Sequence, residues 1–281
     1  MSNFHKPVLL KEAIDGLRIK KDKKYIDATL GGGGHSFEIL RLGGIVLGVD
    51  VDRESLEYIK KLGKPENLTL ARGNFRDIDK IALLNNFDRA AGIIFDLGVS
   101  SHQIDNPTRG FSFQNEGPLD MRMDRELGVR ALDLIKILTK KELCEIFTKY
   151  SEESYAWEIA DAIVKARSIR PIETTRDLAK IAFSIAGQSK KIFQALRIVV
   201  NDELNAIAEA LPKALGLLDE NGMLCVISFH SLEDRIVKKK FAKFEEEHLG
   251  KIITKKPIVP SAEELMANSR AKSAKLRIFK K

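Results

Sequence analysis

Short apolar segments alternate with amphipathic segments over roughly the first hundred residues, and no other feature restricts the possible folds of this chain as strongly. The apolar segments have the length of buried strands and occupy residues 24–30, 44–49, 68–72 and 91–97. Helical periodicity separates them at 36–42, 53–62 and 78–85, and Gly43 and Gly63 follow two of these helices as caps. This βαβαβαβ order predicts an α/β fold with a doubly wound parallel sheet.

The pattern changes after Ser101. A loop rich in Gly, Pro and Asn is followed by helical periodicity over residues 129–218, and an apolar strand returns at 223–229. The economical interpretation is a sheet domain formed by residues 1–106 and 198–281, interrupted by an inserted all-helical domain at 107–197. A chain of 281 residues is long enough for one large and one smaller domain.

A glycine-rich turn follows the first predicted strand in the segment Asp27-Ala-Thr-Leu-Gly-Gly-Gly-Gly34-His35. Glycines let the backbone approach a ligand closely, and the start of the following helix offers unpaired N–H groups to a carboxylate or phosphate. Asp50 ends the second strand, where a carboxylate can accept hydrogen bonds from both ribose hydroxyls of an adenosine. These residues predict a nucleoside cofactor.

The glycine turn alone leaves two classes of cofactor open, because NAD-binding proteins also combine such a turn with a downstream acid. The dinucleotide pattern requires a third glycine at the position that Ser36 occupies here. Asp27 lies just ahead of the turn and can hold a cationic amino-acid group, which S-adenosylmethionine has and NAD lacks. The residues therefore favour a methyltransferase over an NAD-dependent enzyme.

Two further strand ends carry candidate ligand contacts, since ligands of open α/β sheets bind at the carboxyl ends of strands. Phe75 follows the third strand and can stack on an adenine or pack in the core. Asp96 follows the fourth strand and can face the sulfonium or the target base, or cap the next turn.

The cysteines and the hydropathy pattern exclude several classes of protein. Cys144 and Cys225 lie far apart without metal-binding spacing, which predicts two buried, unpaired thiols and no metal site. The longest apolar runs have only strand length, and no signal sequence is evident, so we expect a cytoplasmic protein that is not membrane-bound.

Positive charge is concentrated near the C-terminus. Residues 235–281 hold fourteen Lys and Arg against five Asp and Glu, a net charge of +9, whereas the whole chain has a formal charge of +7. Such a segment suits a phosphate-binding surface, although a solvated basic tail has the same composition.

Six segments closely resemble, in the same order, the motifs of the bacterial 16S rRNA cytosine-N4 methyltransferases, the RsmH (MraW) family. They are His5-Lys-Pro-Val-Leu-Leu10, Asp96-Leu-Gly-Val-Ser-Ser101, Arg109-Gly-Phe-Ser-Phe113, Gly117-Pro-Leu-Asp-Met-Arg-Met-Asp124, Phe193-Gln-Ala-Leu-Arg197 and Ile227-Ser-Phe-His-Ser-Leu-Glu-Asp-Arg235. The similarity runs nearly end to end and finishes with Asn268-Ser-Arg-Ala-Lys-Ser-Ala-Lys-Leu-Arg277. Six ordered motifs are more specific than a glycine turn.

The resemblance implies a class I S-adenosylmethionine methyltransferase fold whose helical insert helps to recognise the substrate. It implies N4-methylation of a cytidine in the decoding region of 16S rRNA, in the small ribosomal subunit. A non-catalytic RNA-binding or ribosome assembly factor that retains the fold is the alternative. Carried over by position, the cofactor contacts of the family fall on Gly33, Gly34, His35, Asp50, Phe75, Asp96 and Gln103.

Cytosine N4 is a poor nucleophile because its lone pair is delocalised into the ring, so a hydrogen-bond acceptor on the amino group assists its attack. Asp96 is the leading catalytic candidate, for polarising this amine or for binding the cofactor. His230 is the second candidate, for orienting the base or a phosphate, and a structural role for this histidine is the alternative.

Substrate contacts are expected from arginines and aromatic residues in the resembling motifs. Phosphate-binding candidates are Arg109, Arg122, Arg197 and Arg235, each of which has a nearby acid as an alternative partner, such as Asp120, Asp124, Asp202 or Asp234. Phe111 or Phe113 can stack on a cytosine that has left its helix, or pack in the core.

Overall fold

The computed structural model describes residues 7–63 and 65–281 and divides the chain into two compact units. The first unit comprises the chain up to Gly98 and from Leu204 onward, and the second comprises Val99–Glu203. The second unit contains the predicted insert at 107–197 and extends beyond it at both ends. His5 and Lys6, which begin the first family motif, lie outside the described residues.

The first unit contains a seven-stranded sheet with the order β3-β2-β1-β4-β5-β7-β6. The strands are β1 (Lys24–Asp27), β2 (Ile45–Asp50), β3 (Leu68–Arg72), β4 (Ala90–Asp96), β5 (Leu218–Ser228), β6 (Lys251–Ile252) and β7 (Lys275–Lys280). Strands β1 to β5 pair in parallel, whereas β7 runs antiparallel between β5 and β6. The predicted parallel sheet is confirmed.

Helices cover both faces of this sheet. In the first unit they are α1 (Leu10–Leu17), α2 (Gly34–Arg41), α3 (Arg53–Lys61), α4 (Ile78–Leu84), α11 (Glu203–Leu217), α12 (Ser231–Glu246) and α13 (Ala262–Ala267), with Glu203 assigned to the second unit. Successive residues of β4 belong to two different cores. Ile93 lies in the core that includes Leu211 of α11, and Ile94 lies in the core that includes Ile39 of α2. Burial on both faces explains why the central strand β4 is apolar up to Asp96.

The C-terminal half of the sheet differs from the prediction. β7 was not predicted, because charged residues interrupt its apolar pattern. Arg277 lies inside the strand and is buried against Asp234 of α12, with Arg277 Nε 2.6 Å from Asp234 Oδ1. β5 begins at Leu218 instead of residue 223. The strand is irregular near its start, with Asn221 at φ 68° and a register shift opposite β4.

The second unit is helical and has its own apolar core, which includes Phe147, Ile159 and Leu196. Its helices are α5 (Ser101–Asp105), α6 (Ala131–Ile137), α7 (Lys140–Ser151), α8 (Ala156–Ile169), α9 (Thr175–Ala186) and α10 (Lys190–Asn201). Thr139 caps α7, accepting a hydrogen bond from the N–H of Glu142 as the capping-box pattern predicts. α8 ends immediately before the Arg170-Pro171 pair.

The loop between α5 and α6 is closely packed. Gly110 has φ 72°, and a Cβ atom on it would lie 2.1 Å from the carbonyl oxygen of Pro118. A Cβ atom on Gly117 would lie 1.9 Å from the carbonyl oxygen of Pro107. Backbone therefore touches backbone at two places, and only glycine fits at each of them.

No described helix is both long and apolar enough to cross a membrane. Neither cysteine forms a disulfide. Cys225 is buried as predicted, but Cys144 is partly exposed on α7, so the prediction that both thiols are buried is wrong for Cys144.

Candidate active site

The candidate active site lies at the carboxyl edge of the sheet in the first unit. β1 has β2 on one side and β4 on the other, so the strand order reverses between β1 and β4. Open α/β sheets bind ligands in the crevice outside such a reversal. Asp27, Asp50 and Asp96 end β1, β2 and β4, so the structure brings three predicted acids to this edge.

The glycine turn is shaped by contacts with its own unit. Gly33 has φ 78°, and a Cβ atom there would lie 2.8 Å from side-chain atoms of Ile59 and Phe37. A Cβ atom on Gly34 would lie 2.8 Å from the ring of Pro7. α2 begins at Gly34, and its first N–H groups lack partners within the helix. A compact turn with unpaired N–H groups suits the carboxylate of a cofactor.

Asp50 connects the end of β2 to the glycine turn. Its Oδ2 accepts a hydrogen bond from the N–H of Gly31 at 2.8 Å, and its Oδ1 accepts one from the N–H of Asp52 at 2.8 Å. Burial raises the pKa of Asp50 to about 6, although these two hydrogen bonds favour the charged form. Each oxygen retains a second lone pair, so the carboxylate can still accept two ribose hydroxyls.

Asp27 connects the end of β1 to the glycine turn and the start of α2. The residue is only 1% exposed, and its Oδ2 accepts a hydrogen bond from the hydroxyl of Ser36 at 2.7 Å. Its Oδ1 accepts one from the N–H of Thr29 at 3.2 Å. Burial raises the pKa of Asp27, which the nearby His35 opposes. These bonds show that the carboxylate holds the loop, and its contact with a cationic group of the cofactor stays a prediction.

His35 and Asp96 form the inner part of the site. His35 is 4% exposed, and its Nδ1 lies 3.7 Å from Oδ2 of Asp96. Nε2 of His35 is buried and has no hydrogen-bond partner among the residues that the structure describes. The N–H of Asp96 donates a hydrogen bond to Oγ1 of Thr29 at 2.6 Å. This hydrogen bond fixes the end of β4 to the glycine turn, and the imidazole of His35 lies beside the carboxylate of Asp96.

Phe75 lies in a short 3-10 turn after β3. Its ring packs edge-to-face on Phe95, with a centroid distance of 5.7 Å and an interplanar angle of 87°. The side chain is only partly buried, so this contact does not use all of it. Stacking on an adenine stays a prediction.

Gln103 lies in the second unit, where it forms a capping box at the start of α5. Its Oε1 accepts a hydrogen bond from the N–H of Ser100 at 3.0 Å, and its N–H donates one to Oγ of Ser100 at 3.2 Å. The side chain is buried. These bonds explain its local role, and contact with a cofactor stays a prediction.

His230 caps α12. Its Nδ1 accepts a hydrogen bond from the N–H of Glu233 at 3.4 Å, and its Nε2 lies 3.2 Å from Oε1 of the same residue. The carboxylate of Glu233 is buried and accepts hydrogen bonds from the N–H groups of Phe229 and His230. Nδ1 is therefore used in capping, whereas Nε2 is buried without a hydrogen-bond partner among the residues that the structure describes. The cap fits the structural alternative for His230, and a catalytic role stays a prediction.

Three of the four arginines predicted to contact RNA have protein partners in the second unit. The guanidinium of Arg109 is buried and donates to the carbonyl oxygens of Arg122 and Met123, so its predicted phosphate contact is corrected to a structural role. Arg122 forms two hydrogen bonds with Asp120, one of the acids proposed as alternatives. Arg197 pairs with Glu203, an acid that was not considered.

The remaining substrate candidates fall into two groups. Phe111 is buried beneath the guanidinium of Arg109, so its predicted base contact is corrected to core packing. Phe113 is 37% exposed and contacts Phe193 edge-to-face, and Arg235 is exposed on α12. The last two remain predictions.

Sequence reasoning missed two hydroxyl groups that organise the site. Thr29 holds the backbone of Asp96, and Ser36 holds the carboxylate of Asp27. The only signal available was their position within and just after the glycine-rich segment. Hydroxyl side chains in such a turn fix neighbouring strand ends by hydrogen bonds that periodicity does not reveal.

Comparison with known proteins agrees with this arrangement. Residues 2–281 match the MraW methylase family. The chain is 44% identical to "Ribosomal RNA small subunit methyltransferase H" from Carboxydothermus hydrogenoformans, over 100% of this chain and 99% of that protein. It is 43% identical to the protein of the same name from Halothermothrix orenii, over 98% of this chain and 97% of that protein.

Among solved structures, an rRNA methylase from Streptococcus thermophilus is 12% identical to this chain, with a TM-score of 0.47 over 98% of this chain and 97% of that one. The family match and the doubly wound sheet together confirm the predicted class I methyltransferase fold. With a family match over nearly its whole length and relatives of more than 40% identity, the chain belongs to the MraW methylase family.

Proposed function

We propose that this enzyme uses S-adenosylmethionine to methylate N4 of a cytidine in the decoding region of 16S rRNA, acting on the small ribosomal subunit in the cytoplasm. Full-length identity of 44% to a protein named as a small-subunit rRNA methyltransferase supports the class of substrate. The observation that carries the cofactor assignment is the meeting of the glycine turn, Asp50 and Asp96 at one edge of the sheet.

The chemistry of the residues at this edge fits S-adenosylmethionine. The N–H groups at the start of α2 suit its carboxylate, and the two oxygens of Asp50 suit its ribose hydroxyls. The buried Nε2 of His35 lacks a partner among the described residues and suits a polar group of the ligand. When bound, S-adenosylmethionine supplies an activated methyl group on a sulfonium.

Asp96 polarises the cytosine amine in this proposal. Its carboxylate accepts a hydrogen bond from the amino group, which localises the nitrogen lone pair for attack, and it takes up the proton that the methylated nitrogen releases. Thr29 fixes the backbone of Asp96, and His35 lies beside the carboxylate. Such positioning contributes to the rate because the acceptor nitrogen must lie in line behind the methyl group.

Cofactor affinity is expected to fall as the pH decreases below about 6. The pKa of Asp50 is raised to about 6 in the ligand-free protein, and only the ionised carboxylate can accept both ribose hydroxyls. Affinity should therefore be constant from pH 7 to 8 and approach a tenfold loss per pH unit well below 6. Calorimetric titration with S-adenosylhomocysteine from pH 5 to 8 measures this dependence.

The matched control for the pH titration is Asp50→Asn. This variant should bind more weakly at pH 7.5 and show a flatter profile, because it lacks the carboxyl group whose ionisation is proposed to control affinity. If wild type and variant lose affinity in parallel below pH 6, the dependence does not come from Asp50.

The decisive test of function is transfer of labelled methyl from S-adenosylmethionine to small ribosomal subunits that lack the modification, followed by nucleoside mass spectrometry. We expect N4-methylated cytidine at a single position. Cofactor and RNA binding without product would instead favour a non-catalytic assembly factor. Binding of NAD in place of S-adenosylhomocysteine would contradict the cofactor assignment.

A further inference from the structure

α12 begins at the same edge of the sheet as the candidate active site. Ile227, near the end of β5, pairs with Asp96 at the end of β4, and α12 starts four residues later at Ser231. All of these residues belong to the first unit. The first turns of α12 therefore flank the edge at which a substrate base would be methylated.

The exposed face of α12 is basic over its first three turns. One face of the helix is apolar and buried through Leu232, Val237, Phe241 and Phe244. The other presents the side chains that define the basic face of α12: Arg235, Lys238 and Lys239. A helix that buries one side and concentrates cations on the other presents an electrostatic surface to a partner.

The acids within these turns do not neutralise Lys238 or Lys239. Glu233 and Asp234 are both buried. Burial disfavours the charge of Asp234, but its partners Arg277 and Lys275 outweigh this effect and hold its pKa below the usual range. Within residues 7–63 and 65–281, neither Lys238 nor Lys239 forms an ion pair, whereas Lys243 pairs with Glu247 at 3.5 Å.

The order of exposed charges along α12 is unfavourable for the helix itself. Glu245, Glu246 and Glu247 lie at its C-terminal end, whereas the cations precede them. The helix macrodipole favours the opposite order, with acids near the start and cations near the end. The exposed cations of α12 therefore oppose the charge order that the macrodipole favours, and within the described part of the chain Lys238 and Lys239 have no ion pair that offsets this cost. Such a departure from a local rule indicates a functional requirement.

We propose that the basic face of α12 binds the phosphate backbone of the substrate RNA beside the target nucleotide. This inference rests on the proposed function, because it takes RNA as the substrate. It also replaces most of the phosphate contacts predicted from sequence, since Arg109, Arg122 and Arg197 have protein partners. Lysines that lack such partners can neutralise phosphates and release counterions, which makes binding dependent on salt.

The test compares Lys238→Gln/Lys239→Gln with Lys60→Gln/Lys61→Gln in the full chain. Lys60 and Lys61 are an equally exposed pair at the C-terminal end of α3, away from the carboxyl edge. We expect the α12 variant to raise the KM for small subunits about tenfold or more at 0.1 M salt, with kcat and S-adenosylhomocysteine affinity unchanged. The slope of log affinity for protein-free 16S rRNA against log salt should decrease by about 1 to 2.

Each other outcome has a definite meaning. An α12 variant that matches the Lys60→Gln/Lys61→Gln control in KM and salt slope overturns the proposal. A defect seen with assembled subunits but not with protein-free 16S rRNA also overturns it, because the partner is then a ribosomal protein. If wild type makes no methylated cytidine but RNA binding still depends on Lys238 and Lys239, the RNA surface stands and the proposed methyl transfer fails.

Discussion

Replacing Asp96 with asparagine is expected to slow methyl transfer by about 10²- to 10⁴-fold, the range typical of losing a positioned general base. The amide keeps the size of the side chain and one acceptor oxygen but cannot take up the proton released from the amine. The N–H of residue 96 still donates to Thr29, so the end of β4 should retain its position. Single-turnover transfer to small subunits at saturating cofactor measures the rate.

The same variant separates the two roles considered for Asp96. If the loss appears in the transfer rate, Asp96 acts on the amine, and if it appears in S-adenosylhomocysteine affinity, Asp96 binds the cofactor. Asp15→Asn, an exposed carboxylate on α1, is the matched control and should change neither quantity. Near-normal rate and affinity in Asp96→Asn would remove Asp96 from the mechanism.

Replacing Gly110 with alanine is expected to destabilise the second unit by about 3–5 kcal/mol, among the largest effects of a single substitution. The new Cβ atom would lie 2.1 Å from the carbonyl oxygen of Pro118 and 2.8 Å from the backbone nitrogen of Asp120. Its φ of 72° adds a cost of about 1–2 kcal/mol for any residue with a Cβ atom. Because the contacts are with backbone, no side chain can rotate away to relieve them.

Hydrogen exchange measured by mass spectrometry can locate this effect, since a chain of two units need not unfold in one step. Faster exchange should appear in residues 99–203 before it appears in the sheet. Gly128→Ala is the control, because a Cβ atom at Gly128 meets nothing within 4 Å. Unchanged exchange in Gly110→Ala would show that the loop rearranges without cost.

The sequence predicted the parallel half of the sheet well for a physical reason. Strands buried on both faces are continuous apolar segments, and β1, β2 and β4 are largely buried in this way, whereas the edge strand β3 is buried only at Leu68. β7 escaped prediction because Arg277 lies within it, and its buried position depends on Asp234, more than forty residues away in sequence. A strand that contains a buried charged residue can be predicted only when the oppositely charged partner of that residue is known.

The candidate site was likewise predicted from the sequence only in part. Spacing located Asp50 and Asp96 at strand ends, and the structure places both at the expected edge. The orientation of Asp27 depends on the hydroxyl of Ser36, and the burial of Arg109 depends on carbonyl oxygens at the other end of its loop. Hydrogen-bond partners of this kind are not encoded in periodicity or spacing.

The pairing of β4 with β5 has a consequence for synthesis of the chain. About 120 residues, including the whole second unit, separate the end of β4 from the start of β5. At typical translation rates the ribosome takes about 6 to 24 s to make them, and during that time β4 is an edge strand with unpaired backbone groups and apolar faces. The nascent chain therefore presents an aggregation-prone edge, and chaperones that bind extended apolar segments should associate with it until β5 emerges.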